Sequence, residues 1–421
     1  MTPQDEILQL GRQAQAASRQ LALLTTGKKD EILAAMADEL AAQAASILEA
    51  NARDLAAGRA KGLSPAMLDR LALDADRLTA VADGIRQVAA LPDPVGEELA
   101  RWTPPNQLDI TKVRVPIGVI GIIYESRPNV TSDAAALCFK TGNATILLGG
   151  SEAIHSNTAI AKALQEGGAR QGLPDHSIQL VPNTDRESVR HLAEMDRYLD
   201  LIIPRGGKAL IETVVSLARM PVIKHYDGIC HVYVDAAADL EMATRITVDA
   251  KTQKPGVCNA AETLLVHRDI AADFLPKVAA SLAAEGVELR ADPESAALIP
   301  GPSTPAVEAD WATEYLDLIL SVKVVPDLAA AIAHINSWGS HHSDSIVTAD
   351  QAAAERFLDE VDSAAVFVNA STRFNDGEEF GFGAEIGIST DKLHARGPMG
   401  LRELTSYKYK IRGTGQTKAK S

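Results

Sequence analysis

A chain of 421 residues exceeds the size at which one hydrophobic core usually stops growing, so we expect two or three domains. The net charge of −15, from 41 basic and 56 acidic residues, argues against nucleic acid or an anionic membrane as a partner. No apolar run approaches the ~20 residues that span a bilayer, and residues 1–13 lack a signal-peptide pattern, so we expect a cytoplasmic protein.

The first hundred residues form a succession of predicted helices. Thr25-Thr26 can cap a segment whose apolar residues recur at three- and four-residue spacing. Ser64-Pro65 places a capping residue before a proline at the first helical position. A further helix is predicted over residues 76–91, where a Pro-Asp-Pro sequence ends it. This region is predicted to be a structural layer.

Strands and helices alternate in the next part of the chain. Residues 108–126 predict a half-exposed strand followed by a buried one. Further strands are predicted at 144–148, 177–182 and 199–203, with helical segments between them. Strands that alternate with helices indicate a parallel sheet covered by helices.

Two of these strands end at paired glycines. Gly149-Gly150 follows one strand, Gly206-Gly207 follows another, and a helix is predicted after each pair. Such a turn lets backbone N–H groups approach a phosphate or a ribose. Because ligands bind at the carboxyl ends of parallel strands, the two turns predict a nucleotide site. The G-x-G-x-x-G fingerprint is absent, and close helix packing is an alternative explanation of paired glycines.

The second half of the chain predicts another α/β region. Its predicted elements are helices at 237–250, 271–283, 328–336 and 352–360 and a strand at 364–369. A glycine-rich tail begins at Asn375, and residues 406–413 have a β-like pattern. The paired His341-His342 would point to opposite sides of a strand, so a solvated loop is predicted there and no metal is expected.

Cys258 has the setting of a reactive thiol. It follows the Pro255-Gly256 break and precedes the apolar run 263–266, which predicts a loop packed against a short buried strand. An accessible thiolate there can attack a carbonyl carbon, although a free cysteine that only fills space is the alternative. With Cys138 and Cys230 the count is odd and the spacings are wide, which suits a reducing compartment and neither a disulfide framework nor a zinc site.

Six stretches carry a family resemblance. They are IYESRPNVTSDAAALCFKTGNA (123–144), DLIIPRGGK (200–208), VIKHYDGICHVYVD (222–235), KTQKPGVCNAAETLLVH (251–267), VNAST (368–372) and EEFGFGAEIGIST (378–390). Over nearly its whole length the chain resembles the gamma-glutamyl phosphate reductases, or glutamate-5-semialdehyde dehydrogenases, of the aldehyde dehydrogenase superfamily. The resemblance implies an α/β fold with two parallel-sheet domains and a small β oligomerisation element.

The resemblance also implies a division of the chain. A cofactor-binding domain is expected at 1–106 and 121–227, and a catalytic domain with the nucleophilic cysteine at 228–384. The strand region 107–120, paired with the C-terminal β segment in 385–421, is expected to form the oligomerisation element and tail. The protein is therefore expected to be a homo-oligomer, with transient contact to glutamate 5-kinase as a further possibility of the family.

The implied reaction is the NADPH-dependent reduction of L-glutamate 5-phosphate in proline biosynthesis. By resemblance, Cys258 attacks the acyl phosphate, phosphate leaves, and the thioester accepts a hydride to give glutamate 5-semialdehyde. The Asn129 amide and the backbone N–H of Cys258 would stabilise the oxyanion, at about 3 kcal/mol per donor. Hydrolytic relatives carry a glutamate base in Glu-Leu-Gly-Gly, where this chain has residues 225–228, HYDG. The absence of this glutamate base is expected to protect a thioester from hydrolysis by water.

The resemblance assigns further residues to ligands. The cofactor residues are Gly149, Gly150, Ser151, Glu152, Gly206, Gly207 and, for the nicotinamide ribose, Glu314. Leu148 stands where the family pattern has an arginine, which weakens the expected selection of NADPH over NADH. Arg127, Lys254 and Arg373 are the candidate cations for the substrate, and surface solvation explains such residues equally well. His225 is expected to move a proton, contact the phosphate, or serve the fold.

Two other functions remain compatible with the sequence. One is a non-phosphorylating aldehyde dehydrogenase, which the missing glutamate base disfavours. The other is a non-catalytic scaffold of the same fold, which the presence of both Cys258 and Asn129 disfavours.

Overall fold

The computed structural model describes residues 2–418, which form two compact units. Unit one comprises the described parts of Met1–Lys224, Gly381–Gly387 and Met399–Ser421. Unit two comprises His225–Phe380 and Ile388–Pro398. Met1 and residues 419–421, which the predicted domains include, lie outside the described residues.

The regular elements are numbered in chain order. The α-helices are α1 (Pro3–Leu21), α2 (Thr26–Ala42), α3 (Ala44–Ala60), α4 (Pro65–Leu71), α5 (Ala75–Ala90), α6 (Asn129–Lys140), α7 (Ile154–Arg170), α8 (Arg186–Ala193), α9 (Lys208–Leu217), α10 (Leu240–Thr252), α11 (Arg268–Ala284), α12 (Pro293–Ala296), α13 (Leu328–Trp338) and α14 (Gln351–Glu360). Short 3₁₀ helices span Ser151–Ala153, Glu308–Ala312 and Thr372–Phe374. The strands are β1 (Glu98–Trp102), β2 (Asp109–Pro116), β3 (Val119–Tyr124), β4 (Ala144–Gly149), β5 (Ile178–Leu180), β6 (Leu201–Arg205), β7 (Cys230–Val234), β8 (Ala261–His267), β9 (Glu288–Ala291), β10 (Thr304–Pro305), β11 (Ile319–Val325), β12 (Ser343–Val347), β13 (Ala365–Val368), β14 (Ile388–Ser389), β15 (Gly397–Pro398) and β16 (Thr405–Arg412).

Helices α1 to α5 precede the first sheet, as the sequence predicts. The Thr25 hydroxyl accepts a hydrogen bond from the backbone N–H of Lys28 at the start of α2. The Ser64 hydroxyl does the same for Met67 at the start of α4, where Pro65 is the first helical residue. Both predicted helix starts are therefore confirmed. Each capping hydroxyl accepts a hydrogen bond from a backbone N–H group that has no partner within its helix.

The larger sheet of unit one has four parallel strands in the order β5-β4-β3-β6. Every residue of β3 and β4 is buried, as expected for strands covered on both faces. The strand predicted at 177–182 is shorter, since Pro182 has no N–H with which to continue the ladder. The predicted parallel sheet is confirmed.

Unit two contains a seven-stranded sheet in the order β10-β9-β11-β8-β7-β12-β13, and its paired strands are parallel. Alternate residues of β7 enter different cores: Val232 and Val234 pack with Phe274 of α11, and Tyr233 packs with Phe357 of α14. Helices thus cover both faces, which explains the continuous apolar runs of the central strands.

A small antiparallel sheet in unit one has the order β1-β2-β16. Strand β16 pairs along its whole length with β2, from Thr405 opposite Pro116 to Arg412 opposite Asp109. This is the strand pairing expected from the sequence, and its role in oligomerisation stays a prediction. Its exposed side chains include Tyr407, Tyr409 and Ile411.

The compact units differ slightly from the predicted division. Unit two begins at His225 rather than at residue 228, and residues 381–384 belong to unit one. Residues 388–398, predicted as part of the oligomerisation element and tail, belong to unit two. The physical reason is close packing within unit one: a Cβ at Gly383 would overlap Leu91, and one at Gly387 would overlap the Arg205 guanidinium. The functions assigned to the predicted domains stay predictions.

Within residues 2–418, no helix combines sufficient length with sufficient apolar character to span a bilayer.

Candidate active site

Three loops meet at the amino edge of the unit-two sheet. Cys258 lies in the loop before β8, Gly228 lies in the loop before β7, and His342 immediately precedes β12. These strands are neighbours in the order β8-β7-β12 and run parallel, so the segments before them come together. The thiol of Cys258 is half-buried, whereas Cys138 and Cys230 are buried.

The loop that carries Cys258 is closed at its base by a buried ion pair. Lys251, at the end of α10, lies 2.6 Å from the Glu262 carboxylate at the start of β8, and neither side chain is exposed. Burial lowers the pKa of Lys251 and raises the pKa of Glu262 to about 7. The second oxygen of Glu262 accepts from Leu316 N at 3.3 Å. The pair joins the two ends of the eight-residue loop 253–260.

The residue after the thiol anchors the loop from the other side. The Asn259 amide donates to the carbonyl oxygens of Asn375, at 3.0 Å, and Arg373, at 3.3 Å. The Thr372 hydroxyl donates to the Asn259 carbonyl at 2.7 Å. Sequence reasoning missed Asn259 and Thr372, although both stand inside the family-like stretches around Cys258 and in VNAST.

The backbone of Cys258 is packed tightly against the loop before β7. A Cβ at Gly228 would overlap the carbonyl group of Cys258. The same carbonyl accepts a hydrogen bond from the Cys230 thiol at 3.2 Å. The Gly228 N–H donates to the Glu314 carboxylate at 2.9 Å, which places Glu314 beside this loop.

This packing predicts that Gly228→Ala displaces Cys258. We expect kcat to fall on the order of 100-fold, since about 1 Å of misplacement at a reacting group can cost that much. Gly256→Ala, in the same loop as Cys258, is the matched control, because the nearest atom to its added Cβ is 3.7 Å away. Steady-state kinetics of both variants check this; equal losses would contradict the steric explanation.

The histidine pair is where the sequence prediction was wrong. His341 is partly exposed and its Nδ1 contacts the Asp362 carbonyl at 2.6 Å, but His342 is fully buried rather than solvated. The ring of His342 lies 5.4 Å from that of His225, edge to face. His225 Nδ1 lies 2.8 Å from the Ile388 carbonyl oxygen.

The three predicted substrate cations have different surroundings. Arg373 borders the loop that carries Cys258, where its Nε donates to the Gln253 side chain at 2.9 Å. Lys254 is exposed on the same loop. Arg127 is exposed in unit one, after β3.

Unit one places its predicted residues at the carboxyl edge of its sheet. Asn129 is the first residue of α6, and its amide donates to the Asp133 carboxylate at 2.9 Å, one helical turn on. Burial raises the pKa of Asp133 to about 6. Sequence reasoning missed Asp133; its position four residues after Asn129 was the available signal.

The two glycine turns follow β4 and β6, the two strands that flank β3 in the sheet. A Cβ at Gly150 would overlap the Glu152 carboxylate, which accepts from the Ser126 backbone N–H at 2.6 Å and the Ser126 hydroxyl at 2.7 Å. At the second turn, the Gly207 N–H donates to Glu125, at 2.9 Å. A Cβ at Gly206 would overlap the Glu125 carboxylate, whereas one at Gly207 would make only an ordinary contact with it.

Other predicted cofactor positions differ in exposure. Ser151 is exposed at the start of a 3₁₀ helix, and Gly206 is exposed after β6. Gly149 is buried, and a Cβ there would overlap the Asn157 amide. Leu148 is also buried, in β4, so an apolar side chain suits that position.

Comparison with known proteins adds the decisive observation. The model of the aldehyde dehydrogenase family matches residues 2–318, about three quarters of the chain. The chain belongs to the aldehyde dehydrogenase family. Membership implies a nicotinamide cofactor and a small-molecule substrate.

Two curated relatives in this family are similar over nearly the whole chain. The gamma-glutamyl phosphate reductase of Moorella thermoacetica is 57% identical over 411 residues, covering 98% of each chain. That of Geotalea daltonii is 54% identical over 416 residues, covering 99% of each. The crystal structure of the gamma-glutamyl phosphate reductase from Thermotoga maritima matches with a TM-score of 0.96 at 45% identity, covering 98% of this chain and 100% of that one. The predicted aldehyde dehydrogenase fold is confirmed.

Proposed function

We propose that this aldehyde dehydrogenase family member reduces L-glutamate 5-phosphate to L-glutamate 5-semialdehyde and phosphate, with NADPH, in proline biosynthesis. The observation that carries the proposal is the half-buried Cys258 on a loop anchored at both ends. The names of the two curated relatives, at 54–57% identity, support the choice of substrate.

The proposed chemistry begins at the Cys258 sulfur. Its thiolate adds to the acyl phosphate carbonyl, the carbon–oxygen bond to phosphate breaks, and a thioester remains on the enzyme. When bound, NADPH supplies the hydride that reduces this thioester. The resulting thiohemiacetal then loses the sulfur, which releases the aldehyde and restores Cys258.

His225 is proposed to handle the proton of the Cys258 thiol. Its Nδ1 faces the Ile388 carbonyl, which can only accept, so Nδ1 carries a proton and Nε2 of the neutral ring has the lone pair. A fixed tautomer is what a proton acceptor requires. The leaving phosphate and the substrate carboxylate are assigned to Arg127, Lys254 and Arg373.

Asn129 is proposed to donate to the carbonyl oxygen, together with the backbone N–H of Cys258. One N–H of the Asn129 amide is held by Asp133, which fixes the amide and leaves its other N–H to stabilise an oxyanion. Asp133 therefore acts through Asn129 and has no proposed contact with the substrate.

The residues of the glycine turns fit a dinucleotide. Gly149, Gly150, Ser151, Glu152, Gly206 and Gly207 lie at the carboxyl edge of a parallel sheet, and Glu314 is assigned to the nicotinamide ribose. The carboxylates of Glu125 and Glu152 suit ribose hydroxyl groups better than a 2′-phosphate. With Leu148 buried in β4, the preference for NADPH over NADH has to come from a cation elsewhere.

The remaining proposals concern assembly and compartment. We propose a cytoplasmic homo-oligomer that uses the sheet β1-β2-β16, whose exposed Tyr407, Tyr409 and Ile411 would otherwise face water. Its acyl phosphate substrate would come from a glutamate 5-kinase through transient contact. Cys138, Cys230 and Cys258 form no disulfide within residues 2–418, which suits a reducing compartment.

The test is NADP reduction by the purified protein with glutamate 5-semialdehyde, with and without inorganic phosphate. We expect strict dependence on phosphate, because HYDG at residues 225–228 offers no glutamate to activate water against the thioester. Turnover without phosphate would favour a non-phosphorylating aldehyde dehydrogenase. Absence of turnover with phosphate, with NAD tried as well, would favour a scaffold.

A further inference from the structure

One thiol and two imidazoles gather at the amino edge of the unit-two sheet. One ligand atom each from Cys258, His225 and His342 lies within 4.8 Å of the other two. Over residues 2–418, this is the one such group of histidine, cysteine or acidic side chains close enough to hold a metal ion. The proposed reduction uses Cys258 and His225 but gives His342 no task.

The ring nitrogens of both histidines are arranged as in metal ligands. His225 Nδ1 is held by the Ile388 carbonyl at 2.8 Å, and His342 Nδ1 lies 2.8 Å from the Ser343 hydroxyl. Metal-binding histidines commonly donate their second ring N–H to an oxygen, as His225 does to the Ile388 carbonyl. The Ser343 hydroxyl can donate to or accept from His342 Nδ1, so it holds that ring in place without fixing its tautomer. Nε2 is then the coordinating atom of each ring.

His342 is the more informative of the two histidines. It is fully buried, and its Nε2 has no hydrogen-bond partner within the described part of the chain. A buried nitrogen without a partner costs free energy, and native structures rarely leave one without a reason.

We propose that Cys258, His225 and His342 bind a thiophilic divalent cation, Zn²⁺ above all, and that this binding reversibly blocks the thiol. One sulfur and two imidazole nitrogens suit Zn²⁺, which accepts three protein ligands and keeps a fourth position for water. Ligand atoms of a tetrahedral zinc site lie roughly 3.5 Å apart, so distances of up to 4.8 Å between the present ligand atoms need to shorten by at most about 1.3 Å.

The coordination step involves no electron transfer. The Cys258 thiol gives its proton to the solvent as the sulfur–metal bond forms, and the two neutral imidazoles donate lone pairs. The coordinated sulfur can no longer attack a carbonyl carbon. Metal binding itself stands apart from the proposed function, whereas inhibition rests on Cys258 being the nucleophile.

The test uses the untagged full chain, reduced with a phosphine rather than a thiol, and Co²⁺ as a visible substitute for Zn²⁺. We expect one Co²⁺ per chain, with thiolate-to-cobalt charge-transfer absorption and the intense d–d bands of a tetrahedral site. Stoichiometric Zn²⁺ should abolish both spectra and protect Cys258 from alkylation, measured by mass spectrometry. Absence of the charge-transfer absorption and of this protection would overturn the proposal.

Variants of the two adjacent histidines locate the site. His342→Ala should raise the cobalt dissociation constant at least about tenfold, since even outer-shell changes at metal sites cost that much. His341→Ala is the matched control, because His341 is partly exposed and contacts Asp362 instead, so its affinity should stay that of the unmodified chain. Equal affinities for His342→Ala and His341→Ala would overturn the assignment.

A second variant and an activity measurement complete the design. If His342→Ala does not fold, as judged by circular dichroism, His225→Gln should show the same loss of affinity. Zn²⁺ should abolish turnover of the unmodified chain, and a chelator should restore it. A cobalt spectrum with no turnover under any condition would uphold the metal site and refute the proposed reductase. Turnover unaffected by saturating Zn²⁺ would overturn the blocking role.

Discussion

Cys258→Ala is expected to lower phosphate-dependent turnover by a factor on the order of 10⁵ or more, the scale of loss when a covalent nucleophile is removed. Cys258 is half-buried on the anchored loop, and the other two thiols cannot replace it. Burial raises the pKa of Cys138 to about 12 and that of Cys230 well above its ordinary value, so neither forms a thiolate at neutral pH. Steady-state NADP reduction checks this.

Cys138→Ala is the matched control for this prediction. Cys138 is buried in α6 of unit one, and its replacement should leave kcat/KM within about twofold while removing a comparable number of atoms. Timed alkylation of the unmodified chain gives an independent measurement, in which Cys258 should be modified first. Undiminished turnover of Cys258→Ala, or alkylation of Cys138 as fast as Cys258, would contradict the assignment of the nucleophile.

Lys251→Met is expected to destabilise unit two by about 3–5 kcal/mol, because it leaves the Glu262 carboxylate buried without its cation. For a unit of this size, that corresponds to a fall in unfolding midpoint on the order of 10 °C. The double replacement Lys251→Met with Glu262→Leu should recover most of the loss, since apolar groups of similar volume often replace a buried pair at little cost. Differential scanning calorimetry checks both variants.

Arg356→Met is the control for the effect of breaking an ion pair. Arg356 and Glu360 form a pair on α14, and each side chain is 47% exposed. Solvent screens such a pair, so its loss should change the unfolding midpoint far less than Lys251→Met does. A Lys251→Met variant that is destabilised no more than Arg356→Met would show that Glu262 is neutralised or solvated in the folded protein.

Local patterns predicted the elements of the fold well, because their causes are local. Capping by Thr25 and Ser64 and the apolar run after Cys258 depend on neighbours in sequence, and the structure confirms the elements they predict. The structure also confirms the parallel sheets. The boundary at residues 381–387 could not be predicted, since it depends on contacts with Leu91 and Arg205, far away in the chain.

Only those residues of the candidate site that lie in recognisable sequence motifs were predicted. Cys258, Asn129 and the glycine turns stand out from their own surroundings in the sequence. His342 did not, because its position beside Cys258 follows from the strand order β8-β7-β12. In that order β12 lies next to β7, although β12 begins 76 residues after the end of β8. No local pattern encodes that order. For this reason His342, which is buried, was predicted to lie in a solvated loop.

The glycine turns of unit one lie near the amino ends of helices, whereas Cys258 of unit two lies near the carboxyl ends of helices. Helices α6, α7 and α9 begin at the carboxyl edge of the unit-one sheet, where their partial positive charges favour an anionic cofactor. In unit two, α10 ends shortly before the Cys258 loop and α13 ends shortly before His342, so partial negative charges lie at that edge. A thiolate or a phosphate there gains nothing from the helices. Under the proposed function, its charge would be balanced by backbone N–H groups and by the cations assigned to the substrate, such as Lys254 and Arg373.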